Sequence, residues 1–167
     1  YPAPGAPELA ARVRDLLTTA GIPFANAPER GLDHGAYVPL VCMYEQADIP
    51  VLQISLPGLD AQAAYALGRA LSPLRDEGVL LIGSGFLTHN LRFAFRHGVP
   101  QWARSFDAWI ADVLRRRDLP SLLAYERAAP DVKTALPTTE HFVPLLFSVG
   151  AATEADPITF PIAGFWM

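Results

Sequence analysis

The sequence predicts an α/β fold, a mixed and largely parallel central sheet flanked by helices, over a single domain spanning residues 1–167. Three observations carry this reading. Two short, β-branched apolar runs, 49–56 (IPVLQISL) and 79–85 (VLLIGSG), are bounded by Pro and Gly as buried strands are. Between them, Asp60 to Asp76 repeats Tyr65, Leu67, Leu71 and Leu74 at helical spacing. Strand, helix and strand in this order form a βαβ unit, whose right-handed crossover leaves the strands parallel and covers the sheet with the helix.

The flanking elements follow from the same rules. Pro7 to Ala20 sets Leu9, Val13, Leu16 and Leu17 on one face, and Gly21 stands where a helix C-cap belongs. Pro28 to Gly35 is rich in turn residues, and Gly78 ends the second helix. A third helix, Gln101 to Arg117, repeats Trp102, Phe106, Trp109, Ile110, Val113 and Leu114, a stripe read as core rather than as a ligand box. Arg115, Arg116 and Arg117 close it, at the end of the helix dipole that favours cations. Pro157 to Ile162 alternates well enough for a last strand. The chain shows no repeat, low-complexity segment or interdomain linker.

Composition excludes several classes of function. With 51% apolar residues in 167, the chain can bury a sizeable core. A net charge of −4, and no basic stretch longer than Arg115–Arg117, argue against a nucleic-acid partner. Cys42 is the single cysteine, so no intrachain disulfide forms, and no apolar run approaches the ~20 residues that cross a bilayer. A cytoplasmic, reducing setting without membrane contact is expected. The opening Tyr-Pro-Ala-Pro-Gly has neither a charged n-region nor an apolar h-region, and the natural start is expected upstream.

Chemistry is sought at the histidines. His34 lies between glycines in Gly31-Leu32-Asp33-His34-Gly35, where a loop can display an imidazole towards a cavity; the plainer reading is a turn histidine bonded to Asp33. His89 and Asn90 follow the second predicted strand and its Gly83-Ser84-Gly85 turn, at the carboxyl end where α/β sheets gather ligands. His141 follows Thr138 and Thr139, either of which can cap a short helix with Glu140 and His141 in its first turn. Neighbours on a helix point about 100° apart, so one of Glu140 and His141 is expected to face a site. His97, in Arg96-His97-Gly98, reads as a surface loop residue. No GxxxxGK[ST], GxSxG, HExxH or CxxC pattern occurs, so nucleotide binding and a serine nucleophile are poorly supported, and spacing alone establishes no metal site.

Taken together, 31–35 (GLDHG), 44–55 (YEQADIPVLQIS), 74–91 (LRDEGVLLIGSGFLTHNL) and 139–150 (TEHFVPLLFSVG) resemble the class III extradiol ring-cleavage dioxygenases, in the branch of the DOPA 4,5-dioxygenase-like proteins. The blocks stand in family order over nearly the whole chain. The resemblance implies a non-haem Fe(II) enzyme, with zinc often seen instead, that inserts both atoms of O₂ into a catechol ring of DOPA-like type. It implies that His141 is a metal ligand, that His89 is either a further ligand or the acid/base residue beside the metal, and that His34 handles substrate protons. Tyr37 and Thr88 neighbour these blocks and are weaker candidates for the pocket wall. A neutral imidazole with a pKa near ~6.5 suits proton transfer of this kind.

One departure matters. The family carries two further histidine ligands in an N-terminal portion that has no counterpart here. The chain is therefore expected to be the C-terminal two-thirds of a catalytic domain, with the missing N-terminal segment or a homo-oligomer as its partner. The alternative to a fragment is a divergent protein that has lost the metal, and the alternative functions are a zinc-binding, hydrolase-like protein and a non-enzymatic binding protein on the same scaffold.

Overall fold

The structure, a computed structural model, describes residues 1–56, 58, 60–93 and 98–165. His97 lies outside the described residues. Regular structure among them is helical: α1 (Pro7–Thr19), α2 (His34–Met43), α3 (Ala61–Leu71), α4 (Gln101–Arg115), α5 (Leu119–Leu123), α6 (Tyr125–Ala128), α7 (Val132–Ala135) and α8 (Val143–Ala151), with 3₁₀ turns at Ser72–Arg75 and Leu91–Phe93.

Local chemistry explains the helices the periodicity predicts. Pro7 occupies the first turn of α1, where a missing N–H costs nothing, and Gly21 follows the helix with φ of +67°. Val13 and Leu17 are buried, and Leu9 and Leu16 pack beside them. The Asp60 side chain accepts from the Ala63 N–H at 2.8 Å and so caps α3, which buries Ala64, Leu67, Gly68 and Leu71. The 3₁₀ turn extends α3 and buries Leu74 before Gly78 reverses the chain at φ of +79°. In α4 the aromatic stripe is core: Phe106 and Ile110 are fully buried, each contributing roughly 1.5–3 kcal/mol of hydrophobic stabilisation.

Helix α8 is apolar on every side because it is packed on every side. Leu146 joins Phe106, Ile110, Tyr125 and Phe142 in one apolar cluster, while Phe147 joins Val13, Leu17, Leu67 and Leu71 in the other. Glycines set how closely α8 meets α3. A Cβ on Gly68 would overlap the carbonyl oxygen of Phe147, and one on Gly150 would overlap that of Tyr65.

The predicted central sheet is absent among the described residues. The isolated parallel bridge between Gly5 and Val51 is their one β pairing, with Val51 N–H donating to the Pro4 carbonyl at 2.9 Å. Segments 49–56 and 79–85 run without helix or ladder. Their apolar side chains do what a strand's would: Leu52, Ile54, Leu56, Val79 and Leu81 pack on the α1–α3 cluster. Burial of this kind selects apolar, β-branched residues whether or not a ladder forms, whereas a strand also needs a second backbone in register. Residues 157–162 likewise pair with no strand; Phe160 lies beneath the Arg115 guanidinium at 4.9 Å. No helix among the described residues is long and apolar enough to cross a membrane.

Candidate metal centre

Two segments meet to build the site. The first is the Gly83-Ser84-Gly85 turn. A Cβ on Gly83 would overlap the Pro144 carbonyl and the Ser148 hydroxyl, and one on Gly85 would overlap the His141 carbonyl. These glycines are therefore required by close approach to the start of α8 and the turn before it. Phe86 N–H donates to that same His141 carbonyl at 2.8 Å. Beyond the turn, His89 N–H donates to the Ala135 carbonyl at 2.9 Å and the Asn90 side-chain amide donates to the Thr134 carbonyl at 2.7 Å. The end of α7 thus holds His89 in place.

The second segment is the turn before α8. The Thr139 carbonyl accepts from Phe142 N–H at 2.9 Å and Val143 N–H at 3.0 Å, and the fully buried Phe142 ring packs 4.5 Å from Tyr125. Glu140 and His141 sit in this turn, ahead of the helix in whose first turn they were expected. The His89 and His141 rings stack, centroids 3.6 Å apart and planes 11° from parallel. Phe86 lies beside both, at 6.1 and 6.2 Å. Glu140 Oε1 accepts from the Thr138 hydroxyl at 2.8 Å and stands 3.2 Å from His141 Nδ1.

Donor atoms of His89, Glu140 and His141 all lie within 4.8 Å of one another. Imidazole nitrogen and carboxylate oxygen are donors that suit a divalent iron or zinc ion, so this cluster can supply at least one ligand to such a group. Burial pushes the His89 imidazole below the usual histidine value, and the neighbouring His141 adds to this. The Thr138 hydroxyl, followed by a backbone N–H, holds the Glu140 carboxyl below its usual range. A cleft of about 150 Å³ lies beside the cluster, walled by Phe86, Leu87, His141 and Leu145.

Of the three histidines singled out in the sequence, His89 and His141 come together. His34 does not join them. It is the first residue of α2 rather than a loop residue, and it is exposed. Asp33 does not bond its ring as a turn neighbour would: the carboxylate accepts from Ala36 N–H at 3.1 Å and from the Gln53 amide at 3.1 Å. Gln53 also accepts from Asp33 N–H at 2.9 Å, so it fixes the start of α2 from segment 49–56. The Gly35 end of that turn faces Ser84, which brings α2 near the glycine turn. Tyr37 and Thr88 do not wall the cleft. Helix geometry led to the expectation that only one of Glu140 and His141 faces the site, whereas both stand beside His89, and Phe86 was not singled out. The Thr138-x-Glu140 spacing, a hydroxyl two residues before the carboxylate, was the available signal for Glu140.

Residues 1–161 match the family of the catalytic LigB subunit of aromatic ring-opening dioxygenase, and the chain belongs to that family. It is 49% identical over 158 residues to a 4,5-DOPA dioxygenase extradiol of Beta vulgaris, covering 92% of this chain and 59% of the relative. It is 39% identical over 178 residues to a protein of the same name from Escherichia coli K12, covering all of this chain and 64% of that one. A crystal structure of an uncharacterized Escherichia coli K12 protein superimposes with a TM-score of 0.84 at 38% identity, over 98% of this chain and 69% of that one. The chain therefore spans about three-fifths of the length of the curated relatives it matches.

Proposed function

We propose that the whole protein is an extradiol dioxygenase that opens a catechol-type ring, DOPA-like in substitution, with O₂ at a non-haem divalent metal, Fe(II) or zinc in its place. The stacked pair of His89 and His141, beside a carboxylate in a chain of the LigB family, carries this reading.

The stacking supports a division of roles. A coordinating imidazole nitrogen offers its lone pair in the plane of the ring, and two planes 11° from parallel do not converge on one point. His141 takes the ligand role in this arrangement. His89, face to face with it, stays neutral because burial disfavours its charged form, and so accepts a catechol hydroxyl proton. A divalent ion at His141, when bound, supplies a Lewis acid that eases deprotonation of the hydroxyl and a position for O₂. Phe86, Leu87 and Leu145 offer apolar surface to the substrate ring and keep water from it. His34 serves protons from the α2 side, where Gln53 and Asp33 fix its backbone.

Bound metal by elemental analysis, and O₂ uptake with L-DOPA under Fe(II), test the proposal in this chain and in a chimera that adds the remaining portion of the Beta vulgaris relative. The expected outcome is metal and O₂ uptake in the chimera, both lost on His141→Ala; His89→Ala keeps the metal and loses at least 10²-fold in rate. Absence of metal from both forms overturns it.

A further inference from the structure

Among the described residues, Glu140 is the one carboxylate that touches the stacked histidines, and its contact is to one nitrogen, Nδ1 of His141. Its Oε1 lies 3.2 Å from His141 Nδ1 and is held there by the Thr138 hydroxyl at 2.8 Å. An ionised carboxylate has lone pairs and no proton to give. Nδ1 of a neutral His141 must then carry the hydrogen and donate it, which leaves the lone pair on Nε2.

We infer that Glu140 is a positioning residue that fixes His141 as the Nδ1–H tautomer and so reserves Nε2 for the metal. The metal half of this inference rests on the proposed function above; the tautomer half does not. Two observations favour positioning over direct ligation. Oε1 is already shared between Thr138 and His141, and the Glu140 side chain is 59% exposed and does not line the cleft. A carboxylate that accepts from the far nitrogen of a ligating imidazole fixes the ring's orientation and raises its basicity, and loss of such a partner lowers metal affinity about 10–100-fold. Thr138 belongs to the same device, because without its hydroxyl an exposed carboxylate is free to turn into water.

Nitrogen-15 NMR of the metal-free 167-residue chain, at a pH of about 8 where histidine is neutral, reads the tautomer directly. His141 is expected as Nδ1–H in the natural chain and in Glu140→Gln, whose amide oxygen still accepts, and as a mixture in Glu140→Ala. Thr138→Val moves it part of the way and covers the case in which Glu140→Ala fails to fold. Zinc titration of the chimera adds the second arm: about 10–100-fold weaker binding in Glu140→Ala, with most of it regained in Glu140→Gln. An Nε2–H His141 in the natural chain, or one indifferent to Glu140→Ala, overturns the inference. Equal zinc losses in the Gln and Ala variants overturn it in favour of Glu140 as a ligand. The expected tautomers with no zinc bound by any form leave the positioning intact and remove the metal function.

Discussion

A methyl group on Gly85 would overlap the carbonyl oxygen of His141, which already accepts from Phe86 N–H at 2.8 Å. Either that bond breaks or the turn carrying His141 moves, and the 3.6 Å stacking on His89 depends on both segments. Gly85→Ala should therefore destabilise by about 1–3 kcal/mol, as small-to-large changes in packed sites do, and weaken zinc binding as well. Gly31→Ala, with nothing within 4 Å of its would-be Cβ, is the control and should leave both unchanged. Thermal denaturation with zinc titration decides it, and equal behaviour of the two variants would remove the close approach. At this scale the site was half legible. His89 and His141 stood out by their company in sequence, but stacking is a through-space fact to which spacing is blind. The same holds for His34, whose glycine neighbours read as loop although Asp33 caps a helix there.

Helices were legible where the apolar face was periodic: α1 with Gly21 after its end, α3 with the Asp60 cap at its start, and α4 by its stripe alone. Helix α2 was not: it carries Pro39 inside it and shows no polar face against which a period could be read. The two runs taken for strands have a different cause. Leu52, Ile54, Val79 and Leu81 are apolar because they pack on the α1–α3 cluster, and the ladder that would make them strands depends on a second backbone, which residue type does not encode. Helix α8, expected as a short helix with Glu140 and His141 in its first turn, begins after them and, like α3, contributes to both clusters. Gly150→Ala tests its closeness to α3 through a sign. In an ordinary helix this change stabilises by up to about 1 kcal/mol through helix propensity. Here the new Cβ meets the Tyr65 carbonyl, a backbone atom that cannot rotate away, so overpacking wins and a net loss of about 1–3 kcal/mol is expected. Urea denaturation measures it, and a gain in stability would show that the helices have room.

Across the whole molecule the resolved titration shifts of acidic groups point one way. Arg12 holds the Glu77 carboxyl low, Arg75 holds Asp156 well below the carboxylate range, Ser121 N–H lowers Asp118 and the Thr138 hydroxyl lowers Glu140. Burial lowers the His89 imidazole. Each of these groups binds its proton less readily folded than unfolded, so acid favours unfolding through all of them. Their contribution is complete above the unfolded values, roughly pH 4 for the carboxyls and 6.5 for the histidine, and is lost as pH falls through the folded ones. Stability should decline gently between about pH 7 and 5, where a single imidazole acts, and more steeply below about pH 4, where four carboxyls act together. Asp156 gives the handle. Its carboxylate pairs with Arg75 at 2.7 Å and accepts from Thr153 N–H at 2.6 Å, while Arg117 bonds the carbonyls of Thr153 and Asp156, so the segment after α8 is tied to the ends of α3 and α4. Asp156→Asn should lower stability at neutral pH and flatten the acid limb, because the group that titrates there is gone. Urea midpoints at pH 7.5, 5.5, 4 and 3 read both effects at once. A midpoint independent of pH, or an acid limb equally steep in the Asn variant, would show that the pair between Arg75 and Asp156 does not hold the C-terminal segment.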